Sequence, residues 1–170
     1  MDKKTIIFNG FMGVGKTTIA KAIAHKLNYS YVDIDEEIVT SFKLPITEIF
    51  SRYGEFAFRE KEAELIHHYT KQKSTVISLG GGAFINDINK NICMNNGIVV
   101  HLDLSYDEWK KRIPELIDTR PILQNKTHNE IKQLFNERKN LYKNRHLHII
   151  TDYLTVDEVT DKVFNALKSY

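Results

Sequence analysis

The sequence predicts a three-layer α/β fold, in which helices cover both faces of a parallel sheet. Short apolar runs alternate with helical stretches along the whole chain, and the runs are apolar on both faces rather than alternating with polar residues. Strands buried on both faces are typical of a parallel sheet between helices. The predicted strands are residues 5–9, 30–34, 75–79, 97–102 and, with a weaker pattern, 147–150.

Helices are predicted between these strands, and three of them begin with a Ser/Thr-x-x-Glu capping signature. These pairs are Ser105 with Glu108, Thr127 with Glu130, and Thr155 with Glu158. Residues 114–127 are polar, contain Pro121 and show no strong periodicity. We therefore expect a mobile surface loop at 114–127.

Composition limits the classes of partner. The chain has 170 residues, the size of one domain, and 24 Lys and Arg against 22 Asp and Glu give a net charge of +2. Such a balance argues against charge-driven binding to nucleic acid or to a membrane. The longest uncharged stretch, residues 74–86, falls short of the about 20 apolar residues that a membrane span needs. A lone cysteine, Cys93, is compatible with a reducing compartment, so we expect a cytoplasmic protein.

Residues 10–18 read GFMGVGKTT and fit the phosphate-binding motif G-x-x-x-x-G-K-S/T between a predicted strand and a predicted helix. Glycines allow successive backbone N–H groups to point inward around an anion, and the following helix adds its positive N-terminal end. Lys16 would span the β- and γ-phosphates, and the Thr17 hydroxyl would bind Mg²⁺. An ordinary glycine-containing turn is the alternative, which the complete motif in this context disfavours.

The use of the nucleotide has to be inferred from other residues. A guanine-nucleotide switch would carry an Asn-Lys-x-Asp motif, and neither Asn-Lys pair of the chain, at 89–90 and at 125–126, is followed by that aspartate. The length also leaves no room for the partner domains of a motor. A small-molecule kinase fits the size best.

Two acidic residues end the second predicted strand. On a strand, Asp33 and Asp35 would project to the same face, at the sheet edge where open α/β proteins bind ligands. We predict that Asp33 helps to hold Mg²⁺ through water and that Asp35 accepts a hydrogen bond from a substrate hydroxyl. The alternative is that Asp35 caps a helix beginning at Glu36.

Glycines and arginines indicate an acceptor site. Three glycines in a row, residues 80–82, favour close approach of the backbone to a ligand over a flexible turn. Arg138 falls within the apolar stripe of the helix that follows Thr127, where a guanidinium needs a buried partner or a bound anion. Arg59 lies beside Glu62 on the apolar face of another predicted helix, although a solvated residue is the alternative. Two such arginines suggest a substrate that bears a carboxylate.

Taken in order, these motifs resemble the shikimate kinase family over nearly the whole chain. They are GFMGVGKT at 10–17, Asp33-Ile34-Asp35, Phe58-Arg59, Gly80-Gly81-Gly82-Ala83, Arg120-Pro121-Ile122-Leu123, and Arg138 before Leu141-Tyr142.

The resemblance implies a P-loop kinase fold like that of nucleoside monophosphate kinases, with a five-stranded parallel sheet of order 2-3-1-4-5. It implies Mg²⁺-dependent transfer of the ATP γ-phosphate to the 3-hydroxyl of shikimate, a step of chorismate and aromatic amino-acid biosynthesis. A monomer is expected, as one domain over residues 1–170 with a substrate-binding region at about 35–62 and a lid at about 114–127.

The resemblance also assigns residues to roles. The implied catalytic residues are Lys16, Asp35 and Arg120. The implied ATP contacts are Gly13, Val14, Gly15, Lys16, Thr17, Thr18 and Arg120. The implied shikimate contacts are Asp35, Arg59, Gly81 and Arg138, and the implied metal-site residues are Thr17 and Asp33.

Two other functions stay open at this point. One is a nucleoside monophosphate or gluconate-type kinase, which would share the fold and the phosphate loop. The other is a non-catalytic nucleotide-binding module. Arg112, just before the lid, is interpreted as surface charge in preference to an adenine-stacking cation, and Asp103 as a structural residue.

Overall fold

A computed structural model describes residues 4–117 and 120–170. Five parallel strands form one sheet in the order β2-β3-β1-β4-β5, which confirms the predicted order. The strands are β1 (Thr5–Asn9), β2 (Ser30–Asp33), β3 (Thr75–Ser78), β4 (Gly97–Asp103) and β5 (Leu147–Ile150). The helices are α1 (Lys16–Leu27), α2 (Ile34–Phe42), α3 (Ile46–Tyr69), α4 (Asp87–Asn96), α5 (Tyr106–Trp109), α6 (Ile113–Leu116), α7 (His128–Leu141) and α8 (Val156–Lys168).

The three central strands are buried on both faces. Every residue of β1 and β3 and five of the seven in β4 are buried. Because successive side chains of a strand point to opposite faces, helices must cover both faces of the sheet, as predicted. The edge strands β2 and β5 are only partly buried.

The strand register brings one edge of the sheet into line. Phe8 of β1 and Asp33 of β2 both lie beside Ser78 of β3. The carboxyl ends of β1, β2 and β3 therefore meet side by side, each followed directly by a segment that the sequence singles out for function.

Strand β2 ends at Asp33, one residue earlier than predicted. The Asp33 side chain caps α2, because its Oδ1 accepts hydrogen bonds from the backbone N–H groups of Asp35 (3.0 Å) and Glu36 (3.3 Å). The prediction that Asp33 and Asp35 alternate on a strand is therefore wrong, and so is the alternative that Asp35 is the cap. Asp35 lies in the first turn of α2.

Two of the three predicted capping boxes form completely, at Thr127 and Thr155. At Ser105 only half of the box is present. The Ser105 hydroxyl accepts from the Glu108 N–H, but the Glu108 carboxylate pairs with Lys111, and the Ser105 N–H donates to Asp152. At this short helix, Asp152 takes the place of the Glu108 carboxylate as acceptor for the Ser105 N–H.

The segment predicted as a loop at 114–127 contains local structure. It begins within α6 and includes a 3-10 helix at Pro121–Leu123, where the Leu123 side chain is fully buried. Residues 118 and 119 lie outside the described residues. Across the described ranges, 4–117 and 120–170, no helix is both long and apolar enough to cross a bilayer.

Helix α3 bends at Gly54, whose φ of 82° and ψ of 165° interrupt the helical conformation. This region of backbone conformation is essentially restricted to glycine. A Cβ atom at Gly54 would meet no heavy atom of the described residues within 4 Å. The bend is therefore a backbone requirement and not a packing requirement.

We expect Gly54→Ala to lower the free energy of unfolding by about 1–3 kcal/mol, because alanine is strained at this φ and ψ. Urea denaturation measures the change. Glu60→Ala, at an exposed position of the same helix, is the control and should change stability by less than about 0.5 kcal/mol. Equal stability of Gly54→Ala and the wild type would show that α3 straightens without cost.

Candidate active site

The glycine-rich loop between β1 and α1 has the geometry of an anion cradle. Gly13 and Gly15 have φ values of 75° and 99°, which turn the backbone sharply before α1 begins. The Lys16 ammonium lies across this turn and donates to the carbonyl oxygens of Gly10 and Phe11, both at 2.9 Å. Loop N–H groups and the N-terminal end of α1 make the site favourable for phosphate.

Two side chains that the sequence did not indicate support this loop from the other half of the molecule. The fully buried Trp109 donates its indole N–H to the Met12 carbonyl at 2.7 Å. Arg112 donates to the Gly13 carbonyl at 2.5 Å and lines the cavity in front of the loop. The interpretation of Arg112 as surface charge is therefore wrong. Both contacts span nearly a hundred residues, so no local pattern could have predicted them.

The surroundings of Lys16 strongly shift the pKa of its ammonium group. Burial lowers the pKa of the ammonium to about 8, against the opposing attraction of Asp35 and with help from repulsion by Arg120. The group is still mostly protonated at pH 7. A buried cation without a bound anion is costly, and a polyphosphate would supply the missing negative charge.

Oxygen atoms suited to Mg²⁺ lie at the start of α1. The Thr17 hydroxyl donates to Asp33 Oδ2 at 3.2 Å, and the Tyr31 hydroxyl donates to the same oxygen at 3.1 Å. Because Asp33 Oδ1 is engaged in capping α2, the carboxylate has a fixed orientation. Hydroxyl and carboxylate oxygens are the ligands that Mg²⁺ prefers, so this pair fits the predicted metal site.

Two neighbouring cavities lie along this edge of the sheet. The larger, of about 960 Å³, is lined by the phosphate loop, Thr17, Asp33 and Arg112. The smaller, of about 320 Å³, contains Arg59 and Arg138. The residues that line both cavities are Met12, Asp35, Ile46, Gly80, Gly81 and Arg120. The structure thus brings the predicted site residues into one region, with Asp35 and Arg120 at the boundary.

Arg59 and Arg138, which both line the smaller cavity, differ in their ion-pair and hydrogen-bond partners. Arg59 Nη1 contacts the buried carboxylate of Glu62 at 2.9 Å, and Arg59 Nε contacts Glu55 at 3.3 Å. Arg138 Nη1 is buried and has no hydrogen-bond partner among the residues that the structure describes. A buried donor without a partner is rare in native proteins and indicates a missing acceptor.

Asp35 is held in an environment that disfavours its charge. Burial, followed by repulsion from Asp33, raises the pKa of the carboxyl, although Arg120, Lys16 and Arg59 oppose the shift. A carboxylate with a raised pKa at the boundary of two cavities is suited to accept a hydrogen bond or a proton from a hydroxyl.

The three glycines after β3 let functional side chains approach the backbone. A Cβ at Gly80 would lie 2.7 Å from Asp35 Oδ1, and a Cβ at Gly82 would lie 2.7 Å from Arg59 Nη2. These close neighbours are side chains of the protein, and close approach of the glycine backbone to a ligand stays a prediction. Asp35 and Arg59 are both seated against this turn.

Fold and site together are those of a kinase of the P-loop class, with a phosphate loop in one cavity and a second cavity beside it that contains Arg59, Arg120 and Arg138. Comparison with known proteins gives the family. Residues 12–168 match the family model for shikimate kinase. The chain is 47% identical to a shikimate kinase of Oceanobacillus iheyensis (98% of this chain, 91% of the relative) and 43% identical to one of Bacillus subtilis (98% and 90%).

A solved shikimate kinase of Acinetobacter baumannii in complex with shikimate superimposes with a TM-score of 0.88. It has 29% sequence identity, and the match covers 98% of this chain and 93% of that one. The chain belongs to the shikimate kinase family. It is therefore an enzyme that phosphorylates shikimate with ATP as co-substrate, which confirms the predicted function and excludes the gluconate-type kinase and the non-catalytic module.

Gly82→Ala tests whether the glycine turn seats Arg59. Gly82 has a φ of −102°, which alanine adopts freely, so the substitution acts only through the close contact with Arg59. We expect the KM for shikimate to rise about tenfold, the effect of losing one charged hydrogen bond, with the KM for ATP and the Tm nearly unchanged. Ile85→Ala, at an exposed position three residues on, is the control. An unchanged KM for shikimate would mean that Arg59 does not need this seat.

The lowered pKa of Lys16 predicts a pH dependence of nucleotide binding. Because the ammonium loses its proton near pH 8 in the free enzyme, the Kd for ADP should rise about tenfold between pH 7 and pH 9. Calorimetric titration at several pH values measures it. Lys16→Met should bind weakly with no such rise in Kd, and a wild-type Kd that is constant to pH 9 would contradict the assignment.

Proposed function

We propose that the two cavities divide the reaction between them. ATP occupies the larger cavity with its phosphates in the glycine-rich loop, and shikimate occupies the smaller one with its 3-hydroxyl at the shared boundary. The observation that supports this most directly is the boundary itself, where Asp35 and Arg120 line both cavities. In-line transfer needs the attacking oxygen and the transferred phosphoryl group on either side of such a boundary.

The acceptor would be held at its carboxylate. Arg138 offers the buried Nη1 donor that lacks a partner, and Arg59 offers a guanidinium already oriented by Glu62 and Glu55. Planar guanidinium groups match carboxylates in a bidentate geometry. Gly81, between the seats of Asp35 and Arg59, is placed to contact the substrate with its backbone.

The hydroxyl would be oriented by Asp35. Its raised pKa favours a hydrogen bond from the hydroxyl and acceptance of the proton as the phosphoryl group is transferred. Lys16 and Arg120 would stabilise the negative charge on the phosphoryl oxygens. Electrostatic interaction of both cations with Asp35 supports this assignment.

Thr17 and Asp33 would hold Mg²⁺, the first directly and the second through water. The ion supplies charge neutralisation at the β- and γ-phosphates. Thr17 and Asp33 both line the larger cavity, and their side chains are hydrogen-bonded to each other. Gly13, Val14, Gly15 and Thr18 would contribute backbone N–H groups and a hydroxyl to the ATP phosphates.

Residues 114–127 would form the lid, and residues 35–62 the substrate-binding region, of a single domain. Arg120 and Ile122 belong to residues 114–127 and line the smaller cavity. Closure of this lid over the cavity would remove water from the reacting groups. A cytoplasmic location fits the single buried cysteine. That the chain acts as a monomer stays a prediction.

Release of ADP in the presence of ATP and Mg²⁺ tests the function. We expect shikimate to accelerate release, and gluconate and nucleoside monophosphates to have no effect.

Asp35→Asn should lower turnover with shikimate at least about 100-fold. Its Tm at pH 7 should be equal to or above that of the wild type, because the raised pKa means that the ionised carboxylate destabilises the fold above the ordinary aspartate pKa.

Asp107→Asn is the matched control, since Asp107 is exposed and pairs only locally with Lys110 among the described residues. Omission of Mg²⁺ should stop the reaction of every active variant. Acceleration by another acceptor, or near-normal turnover of Asp35→Asn, would overturn the proposed roles.

A further inference from the structure

Tyr142 is a fully buried aromatic residue whose hydroxyl reaches the acceptor site. It follows α7 directly, is 1% exposed, and donates its hydroxyl to the Gly81 carbonyl at 2.6 Å, across 61 residues of sequence.

The hydrogen bond connects the two halves of the acceptor cavity. Arg138 lies four residues before Tyr142, so the end of α7 carries both the arginine and the tyrosine on adjacent turns. Gly81 stands between Gly80, which seats Asp35, and Gly82, which seats Arg59. One contact thus links the segment that follows Arg138 to the turn against which Asp35 and Arg59 lie.

We propose that Tyr142 is a positioning residue for the acceptor, which sets the separation of Arg138 from the glycine turn and the orientation of the Gly81–Gly82 peptide. The proposal rests on the proposed function of the smaller cavity. Because a peptide is planar and trans, a Gly81 carbonyl held toward Tyr142 directs the Gly82 N–H to the opposite side. The tyrosine acts without touching the substrate.

Stacked rings hold Tyr142 in place. The His101 ring of β4 stacks on the Tyr142 ring with centroids 5.0 Å apart and planes inclined by 23°, and His148 of β5 stacks on His101 at 5.5 Å. His101 Nδ1 lies 3.0 Å from Asn9 Oδ1, which fixes the plane of the histidine ring. Burial lowers the pKa of His101 to about 4, so this ring is neutral when the enzyme works at neutral pH.

The His101 support is an independent link to the rest of the site. Asn9 is the last residue of β1 and directly precedes the phosphate loop. The stack therefore anchors Tyr142 to the sheet edge, where the loop begins, and not only to its own helix.

Tyr142→Phe removes the hydroxyl and keeps the ring. We expect the KM and the calorimetric Kd for shikimate to rise five- to twentyfold, with the KM for ATP within twofold of the wild type. Tyr69→Phe is the matched control, because it removes a tertiary tyrosine hydrogen bond of 2.7 Å to Glu37, outside both cavities. It should lower the Tm by a similar amount and leave shikimate binding unchanged.

A second variant tests the support. His101→Leu removes the stacked ring and should weaken shikimate binding in the same direction as Tyr142→Phe. If both act through the orientation of one hydroxyl, His101→Leu should add little to the Kd for shikimate in the Tyr142→Phe background.

Equal shikimate affinity in the wild type and Tyr142→Phe would overturn the proposal, as would parallel losses of ATP and shikimate binding in Tyr142→Phe. If Tyr142→Phe were too unstable to assay, unchanged shikimate affinity in His101→Leu would overturn it. Failure of the proposed function would be seen separately, since the wild type itself would then show no acceleration by shikimate.

Discussion

The arrangement of the site depends on two opposite charges, both partly buried at the edge of the sheet. Lys16 and Asp35 attract each other, yet burial shifts the pKa of each toward its neutral form. Their mutual attraction alone therefore does not compensate their removal from water. Under the proposed function the substrates would supply the rest, a polyphosphate by its negative charge beside Lys16 and a hydroxyl by its hydrogen bond to Asp35. A fold that keeps both groups charged gives up stability in favour of a site that is already oriented when its ligands arrive.

The remaining polar contacts of the site fix these groups in position. Asp33 is an example, because one carboxylate oxygen caps α2 while the other accepts hydroxyl hydrogen bonds from Thr17 and Tyr31. The start of the helix that carries Asp35 and the oxygen atoms suited to the metal are thereby set by one side chain. Moving Asp33 would therefore displace both Asp35 and the hydroxyl groups of Thr17 and Tyr31 from their present partners.

Apolar patterns predicted the strands and a complete motif predicted the phosphate loop, whereas the order of the strands came from the resemblance to the family. The sequence misplaced Asp35, because an aspartate after an apolar strand can continue the strand or cap a helix, and the choice depends on which amides it can reach. It identified the three glycines but not their neighbours, since the close approach of Asp35 and Arg59 is a tertiary fact. The contacts of Trp109, Arg112 and Tyr142 with distant carbonyls had no signal, because a carbonyl acceptor leaves no trace in residue type.

The different pairing of Arg59 and Arg138 bears on how the smaller cavity would bind a carboxylate. Arg59 is oriented by the buried carboxylate of Glu62. Burial raises the pKa of Glu62, although the attraction of Arg59 opposes this shift. Arg59 therefore has its charge partly balanced before any ligand binds, and it contributes mainly geometry. Arg138 keeps a buried donor without a partner in the described structure, and it gains most from an arriving carboxylate. Under the proposed function, affinity for the substrate carboxylate would rest chiefly on Arg138 and its orientation chiefly on Arg59. The separation of the two arginines would then have to be held constant by a contact outside the substrate.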